Sequence, residues 1–246
     1  MTLHIGVDSA ADGWLVVLYD EDGYRESKLY EGDNGFESLW DDHGDEAEHI
    51  LVDVPIGLRE ESNEKRPCDD EARDVLGSPR SSSVFAVPVR EAVHEDSYEK
   101  AKAVQEEKTG GSLGKQTWNI SDNIAEIDTF LRKTSPKSQG CVCEAHPEVC
   151  FWALNGEEAM EYSKTRQPAA AFWERVDALE EIDEDVLESI REASIGLDAR
   201  VGNDDIVDAF ALALTASPMT GELRTLGGEK DEEGLPMEMV YPETSA

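Results

Sequence analysis

Alternation of apolar and polar residues at the beginning of the chain predicts a β-hairpin. Leu3–Tyr19 contains two β-rich runs, and the apolar residues at positions 3, 5 and 7 share one face of the first run. The small residues between the runs include Asp12 and Gly13, a pair that strongly favours a hairpin turn. Asp8 lies on the opposite face, where we expect the first strand to end. A carboxylate in that position can hold a metal ion or bind a hydroxyl group.

The next segments predict a third strand, a helix and a central strand. Tyr24–Tyr30 alternates weakly and is expected to pair with the hairpin. Phe36–Asp42 is typical of a short amphipathic helix. Ile50–Ile56 is an apolar run of the kind found in parallel central strands, and Pro55 is expected to end it. Asp53 interrupts this run, where an unpaired acid is costly.

Residues 59–140 show a different pattern, in which short helical segments alternate with loops. Helices are predicted over Cys68–Leu76, Ser97–Lys108 and Gln116–Leu131. Arg80–Arg90 is expected to be a loop, and it carries two arginines in a chain that has few. We predict that residues 59–140 are a mostly helical insertion that covers one edge of a single domain spanning residues 1–246.

The remaining segments complete an α/β pattern. Cys141–Ala145 is a predicted strand that carries Glu144. Helices are then predicted over Glu148–Leu154, Phe172–Leu179, Val186–Ala193 and Asn203–Ser217. Leu235–Tyr241 is predicted to be a final extended segment. Asn203 or Asp204 is expected to cap the last helix. Three antiparallel strands followed by a crossover into parallel strands favour a ribonuclease H-like mixed five-stranded sheet flanked by helices.

Acidic residues dominate the composition. The chain of 246 residues has 56 acidic and 22 basic residues and a net charge of −34. These acids are spread through periodic segments, which argues against a disordered acidic tail, and no EF-hand loop is present. We favour adaptation to molar intracellular salt. Because the Debye length at ~1 M salt is only ~3 Å, local contacts would then decide binding. The charge argues against a membrane partner but does not exclude a phosphate-bearing substrate.

Targeting features and cysteine usage favour a cytoplasmic protein. No apolar run approaches the ~20 residues of a membrane span, and the N-terminus does not resemble a signal peptide. Four cysteines are too few for a disulfide scaffold. Zinc is a weak alternative for Cys141, Cys143, His146 and Cys150, because their spacing lacks the paired knuckles of structural zinc sites.

Four aspartates are the strongest candidates for chemistry. Asp8 and Asp53 lie on two predicted neighbouring strands, and Asp205 and Asp208 lie one turn apart on the last helix. Converging carboxylates are unfavourable unless a cation joins them. We therefore expect all four to hold Mg²⁺ or Mn²⁺, as one ion or as two about 4 Å apart. Glu144 is an alternative ligand. Each acid also has a structural interpretation, such as the helix dipole for Asp205 or a turn cap for Asp8.

Other residues are candidates for binding the substrate. Basic side chains that can bind phosphate or carboxylate are Arg80, Arg90 and Lys115. Lys164 is a further candidate, for which surface solubility or a salt bridge is the favoured interpretation. Trp118 can stack on a base or belong to the core. His146 can act as a general base or ligand, or it can form a structural hydrogen bond.

Seven motifs spread over nearly the whole chain point to a known family. They are Gly-Val-Asp…Gly-Trp at 6–14, Asp-Val-Pro-Ile-Gly-Leu at 53–58, Cys-Asp…Ala-Arg…Leu-Gly at 68–77, Ser-Ser-Val-Phe…Pro-Val-Arg at 82–90, Gln-Thr-Trp-Asn-Ile at 116–120, Glu-Ala-His-Pro-Glu-Val at 144–149 and Asp-Asp-Ile-Val-Asp-Ala at 204–209. Together they resemble domain-of-unknown-function family 429, usually described as predicted nucleases with a ribonuclease H-like fold. The resemblance implies metal-dependent phosphodiesterase activity and retains Asp8, Asp53, Glu144, Asp205 and Asp208.

Three functions therefore compete. The favoured one is a Mg²⁺- or Mn²⁺-dependent nuclease that acts on nucleic acid or another phosphate-bearing substrate. The second is an actin-like phosphotransferase or nucleotide hydrolase, a class that normally needs two such domains and a second phosphate loop. The third is a non-catalytic binding protein that retains the fold.

Overall fold

A mixed five-stranded sheet forms the centre of the protein. The computed structural model describes residues 2–11, 13–62 and 64–243. The strands of this sheet are β1 (Leu3–Ala10), β2 (Gly13–Asp20), β3 (Gly23–Glu31), β4 (Ala47–Val52) and β5 (Val142–Glu144). They lie in the order β3-β2-β1-β4-β5, with β1, β2 and β3 antiparallel and β1, β4 and β5 parallel. The predicted α/β fold with a mixed five-stranded sheet is confirmed and is consistent with a ribonuclease H-like fold.

Helices flank the sheet, and a second small sheet closes the chain. The helices are α1 (Gly35–His43), α2 (Pro67–Arg80), α3 (Arg90–Val93), α4 (Tyr98–Thr109), α5 (Lys115–Trp118), α6 (Ser121–Lys133), α7 (Pro136–Cys141), α8 (Pro147–Leu154), α9 (Pro168–Glu180), α10 (Val186–Gly196) and α11 (Asn203–Ala216). Short 3₁₀ turns cover Ser81–Ser83 and Pro218–Thr220. Strands β6 (Leu223–Lys230) and β7 (Pro236–Pro242) pair as an antiparallel hairpin. In the described part of the chain, no helix combines the length and apolarity needed to cross a membrane.

Several predicted boundaries differ from the structure. The first hairpin forms, with Ala10 paired to Gly13, while Asp12 lies outside the described residues. The central strand was predicted to end at Pro55 and ends earlier, at Val52; the Asp53 N–H donates to the Val7 carbonyl at 3.0 Å just beyond it. The single helix predicted over Gln116–Leu131 is two helices, α5 and α6, separated by a turn at residues 119–120.

One glycine determines how closely the last helix packs on the sheet. Ile5 faces the core formed with α1 and α6, and its neighbour Gly6 faces α11 on the other side. A Cβ atom at Gly6 would lie only 2.3 Å from the backbone nitrogen of Ala213. Glycine therefore allows the backbone of α11 to lie directly against β1. This contact brings the beginning of α11 to the same end of the sheet as Asp8.

Arg90 ties the segment between β4 and β5 to the terminal hairpin. Its buried guanidinium pairs with Glu60, Asp128 and Asp231. Asp231 also accepts backbone N–H groups from Leu58 at 2.9 Å and from Leu235 at 2.8 Å. Residues 53–141, which lie between β4 and β5, form a block of helices and loops, and Asp231 joins this block to the β6–β7 hairpin. The predicted insertion of residues 59–140 remains a prediction.

Candidate functional site

Two of the four predicted aspartates lie side by side on neighbouring strands. Val7 of β1 pairs with Val52 of β4, so Asp8 and Asp53 directly follow the last pair of the parallel ladder. β1 itself continues to Ala10, so Asp8 marks the end of the parallel pairing rather than the end of the strand predicted from the sequence. Ligands of open α/β sheets bind at the carboxyl ends of parallel strands. Both carboxylates are therefore placed where such a sheet forms its binding site.

Helix α11 adds the other two aspartates. Asp208 is buried, whereas Asp205 is half-buried and accepts the N–H of Gly202 at 3.0 Å. The N-cap is Gly202 rather than Asn203 or Asp204, and the Asp205 carboxylate accepts its N–H, which is the one half of a capping box that a glycine N-cap allows. Asp205 thus fills the structural role that was its alternative interpretation.

The four carboxylates interact electrostatically. Burial raises the pKa of Asp8 well above its ordinary value, and the charges of Asp53, Asp208 and Asp205 raise it further. Burial also raises the pKa of Asp208 to about 6, against the lowering effect of Lys164. Burial raises the pKa of Asp53. The charges of Asp53, Asp205 and Asp208 therefore all act on Asp8, while a shared metal site for the four aspartates stays a prediction.

A lysine neutralises part of this charge. The Lys164 ammonium pairs with Asp208 and lies 3.5 Å from Glu148 Oε1. Glu148 also accepts a hydrogen bond of 2.6 Å from the buried Arg175. Lys164 therefore forms a salt bridge, but its side chain is only 27% exposed and does not lie on the open surface. It lies among Asp8, Asp53, Asp205, Asp208 and Glu148, which we call the acidic cluster.

Two buried oxygens without a hydrogen bond test whether this cluster fits a metal ion. Asp208 Oδ1 and Glu148 Oε2 accept no hydrogen bond from the described residues, although Arg80 Nε lies 3.9 Å from Glu148 Oε2. Leaving a buried carboxylate oxygen unpaired is costly, and Mg²⁺ and Mn²⁺ prefer carboxylate oxygen ligands. The donor set therefore fits a hard divalent cation. In the arrangement described, no three of the four aspartates bring ligand oxygens within 4.8 Å of one another.

A second group does meet that distance. Cys68, Asp69 and Glu144 are buried, their ligand atoms all lie within 4.8 Å, and this spacing can hold a metal ion. The Arg66 guanidinium, however, donates to both Glu144 oxygens at 2.7 Å and to Asp69 at 3.1 Å. Burial also raises the pKa of the Cys68 thiol, which disfavours the thiolate that a metal would bind. Arg66 thus already supplies the cation of this cluster.

A cavity of about 560 Å³ opens beside the aspartates. Asp53, Glu148 and Asp208 line one side, and Phe85 and Gln116 come from the segment between β4 and β5. Four of the 22 lysines and arginines of the chain line it: Arg66, Arg80, Lys164 and Arg175. A cavity of this size suits a small ligand or part of a larger one.

Comparison with known proteins now bears on this site. The model of one family, described as "Protein of unknown function (DUF429)", matches residues 6–232. The chain belongs to the DUF429 family. No curated protein and no solved structure matches it. The resemblance predicted from the seven motifs is confirmed, and the matched range includes every residue of the acidic cluster.

In this DUF429 protein, two predicted substrate-binding residues reach the cavity. Arg80 lines it and donates to the carbonyls of Met160 at 2.9 Å and Glu161 at 2.7 Å. His146 lines it as well, from the N-cap position of α8. Its Nδ1 accepts the Glu148 N–H at 3.1 Å, so one ring nitrogen has the structural role weighed as its alternative.

The other predicted substrate-binding residues do not line the cavity of the DUF429 protein. Arg90 is buried among three carboxylates, which take up its donors. Trp118 is half-buried and packs against Tyr98, with ring centroids 6.2 Å apart, on the outside of a small apolar cluster. Lys115 is exposed at the beginning of α5, one residue from Gln116.

The structure also gives other positions to the alternative metal ligands predicted from the sequence, Glu144 and the zinc candidates. Both Glu144 oxygens are bonded to Arg66, so Glu144 stabilises the wall of the cavity instead of joining the aspartates. In the part of the chain that the structure describes, the weak zinc candidates do not gather as a ligand group: Cys141, Cys143, His146 and Cys150.

The sequence analysis did not identify Glu148 and Arg175 as site residues. Arg175 is 2% exposed on the same face of α9 as the buried Ala171, Val176 and Leu179. An arginine within an apolar helical stripe requires a buried acidic partner. The position of Arg175 in the sequence therefore indicates a buried ion pair. Glu148 is that partner.

Proposed function

We propose that this DUF429 protein is a metal-dependent nuclease. In this proposal Asp8, Asp53 and Asp208, assisted by Asp205, hold Mg²⁺ or Mn²⁺ and hydrolyse a phosphodiester bond. The observation that supports it most is the Oδ1 of buried Asp208, which accepts no hydrogen bond from the residues that the structure describes and belongs to a carboxylate whose charge helps to raise the pKa of Asp8. Such a group is stabilised by a divalent cation, and its cavity has basic side chains suited to phosphate.

Each residue has a role that follows from its position. Bound divalent ions would activate water and stabilise the leaving oxygen. Asp8 and Asp53 present their carboxylates from paired strands, which keeps them in fixed register. Lys164, next to Asp208, is placed to neutralise a substrate phosphate. Because the Nδ1 of His146 accepts a hydrogen bond, its neutral ring carries the proton on Nε2 and can donate it within the cavity.

One observation favours the non-catalytic alternative. Lys164 already occupies a cation position between Asp208 and Glu148. A protein that keeps this pair permanently would bind an anionic ligand without a metal. The nucleotide hydrolase alternative stays a prediction from the sequence, tested by whether ATP raises the melting temperature.

Calorimetry with Mn²⁺ and a cleavage assay separate these functions. We expect wild-type protein in molar KCl to bind Mn²⁺ and to cleave at least one of single-stranded, duplex, branched and hybrid substrates. Asp8→Asn and Asp208→Asn should each reduce Mn²⁺ affinity by more than about tenfold. Asp41→Asn, which removes an exposed charge from α1, is the control for net charge.

The outcomes are distinct. Loss of Mn²⁺ binding and cleavage in the two site variants, but not in the control, supports the nuclease. Mn²⁺ binding that is absent from the wild-type protein, or cleavage that is equal in Asp8→Asn, overturns it. Cleavage that is absent beside intact Mn²⁺ binding also overturns the hydrolytic part and leaves a metal-binding protein.

A further inference from the structure

Two exposed aromatic side chains lie beside the acidic cluster. Among the described residues, Phe85 is 41% exposed and Trp173 is 52% exposed. Phe85 lines the cavity of about 560 Å³ that also contains Asp53 and Asp208. Trp173 lines a neighbouring cavity of about 510 Å³. An exposed aromatic ring at a cavity offers a flat surface on which the ring of a ligand can stack.

The surrounding structure holds both rings in place. The Val84 side chain is buried and its carbonyl accepts a 2.6 Å hydrogen bond from Arg73, which anchors the backbone next to Phe85. Trp173 lies on α9, where Phe172 contacts it edge-on at 5.2 Å. Rigid aromatic residues are suited to stacking because little conformational freedom is lost on binding.

Two basic residues connect the cavities. Lys164 and Arg175 line both of them, so each cavity extends from the same cationic position beside Asp208. An anionic group at Lys164 would therefore have one aromatic ring available in each adjoining cavity. This arrangement matches a polynucleotide, in which a phosphate joins two units that each carry a flat base.

We propose that a single-stranded polynucleotide lies across the two cavities, with its backbone at Lys164 and one base stacked on each of Phe85 and Trp173. This inference rests on the proposed nuclease function and specifies its substrate. Bases in a double helix are stacked on each other and cannot reach separate rings. Cavities of this size also enclose individual units and not a helix.

The net charge determines where the affinity for such a strand must come from. At −34, the chain as a whole repels a polyanion, so long-range electrostatic capture is not available to it. Base stacking on aromatic rings tolerates any base sequence and provides affinity that charge attraction cannot provide here. Phe85 and Trp173 would therefore supply much of the binding.

Fluorescence anisotropy tests the proposal without turnover. The probes are fluorescein-labelled oligothymidylate and oligouridylate of about 12 nucleotides, in chelator and molar KCl. Phe85→Ala and Trp173→Ala should each weaken binding about tenfold, and Phe85→Tyr and Trp173→Phe should restore it. Ile195→Ala, at an 81% exposed residue that lines neither cavity, should bind as the wild type does.

Each result decides the matter. Weakened binding in both alanine variants, with a duplex of the same sequence binding less tightly than the single strand, supports the proposal. Preference for one oligonucleotide identifies DNA or RNA as the source of the strand. Unchanged binding in either alanine variant, equal binding of the duplex, or no binding by the wild type overturns it. Mn²⁺ calorimetry on the same variants shows separately whether the metal site, and thus the proposed function, stands.

Discussion

Gly6 on β1 lies so close to Ala209 on α11 that a Cβ atom at position 6 would stand 2.1 Å from the Ala209 carbonyl oxygen. No real Cβ contact is that short, and the obstructing atom belongs to the helix backbone. Asp8 follows Gly6 by two residues, and Asp208 directly precedes Ala209. The distance between two carboxylates of the candidate site is therefore set by a glycine that carries no chemistry.

Gly6→Ala should move α11 away from the sheet. Because the backbone of α11 cannot yield as a side chain would, we expect a loss of about 3 kcal/mol in unfolding free energy, measured by urea denaturation. Mn²⁺ affinity should fall as well, since Asp208 moves with the helix. Gly196→Ala, at an exposed helical glycine with no neighbour within 4 Å, should be neutral or slightly stabilising. Normal Mn²⁺ affinity in Gly6→Ala would contradict this account.

Lys164→Met should make the protein depend on a divalent cation. The change leaves Asp208 and Glu148 without the ammonium and should lower stability by about 3 kcal/mol in chelator. Added Mn²⁺ should then raise the melting temperature more than it does in the wild type, because the ion no longer competes with Lys164. Lys100→Met, which breaks an exposed pair with Asp96, should change neither value appreciably. If Mn²⁺ raised the melting temperature of Lys164→Met and of the wild type equally, Mn²⁺ would not compete with Lys164 for this position.

Cys68→Ala separates the two groups of metal-ligand residues. Since Arg66 supplies the cation between Asp69 and Glu144, we expect Cys68→Ala to keep the wild-type affinity for Mn²⁺ in calorimetry. Cys141→Ala, at another buried cysteine, is the matched control for loss of volume. If Cys68→Ala alone abolished Mn²⁺ binding while Asp208→Asn retained it, the metal centre would lie at the cysteine cluster.

Asp128→Asn should reveal a pH-dependent contribution to stability. Burial acts to raise the pKa of Asp128, but hydrogen bonds from His94 and Arg90 outweigh it and hold the pKa below its ordinary value of 3.8. A carboxyl group with a lowered pKa stabilises the folded state when the pH is above its pKa in the unfolded chain. This contribution is lost as the pH falls through its pKa in the folded protein. We therefore expect Asp128→Asn to cost about 3 kcal/mol near neutral pH.

The pH series supplies the check for Asp128. The difference in unfolding free energy between the wild type and Asp128→Asn should narrow as pH falls below about 4 in urea denaturation. Asp96→Asn, on the surface, should follow the wild-type curve. A difference that stays constant down to acidic pH would show that Asp128 acts through packing and not through its charge.

Local pattern was sufficient to predict much of the fold and part of the site. The alternation in β1 and the apolar run of β4 give adjacent strands, and the topology then places Asp8 beside Asp53. The helical spacing on α11 placed Asp208 near them. These features depend on neighbours in the sequence together with one rule of chain connection.

The parts that were missed depend on contacts between distant positions. Arg66 and Glu144 are 78 residues apart, and Lys164 and Asp208 are 44 apart, so no local pattern indicates either pair. The strand β6 was missed because most of its residues are exposed and its pairing with β7 shifts register between Gly227 and Glu229. The wrong assignment of Arg90 to the substrate has the same origin, since its partner Asp231 lies 141 residues away.

Asp231 has a consequence for how the chain folds during synthesis. It joins Arg90 and the backbone of Leu58 to a hairpin near the end of the chain. A growing chain cannot complete this network until residue 231 has left the ribosome, and Asp8 must likewise wait for α11. The native network therefore forms only after residue 231 has been synthesised, and the apolar strands made before it must be kept from associating until then.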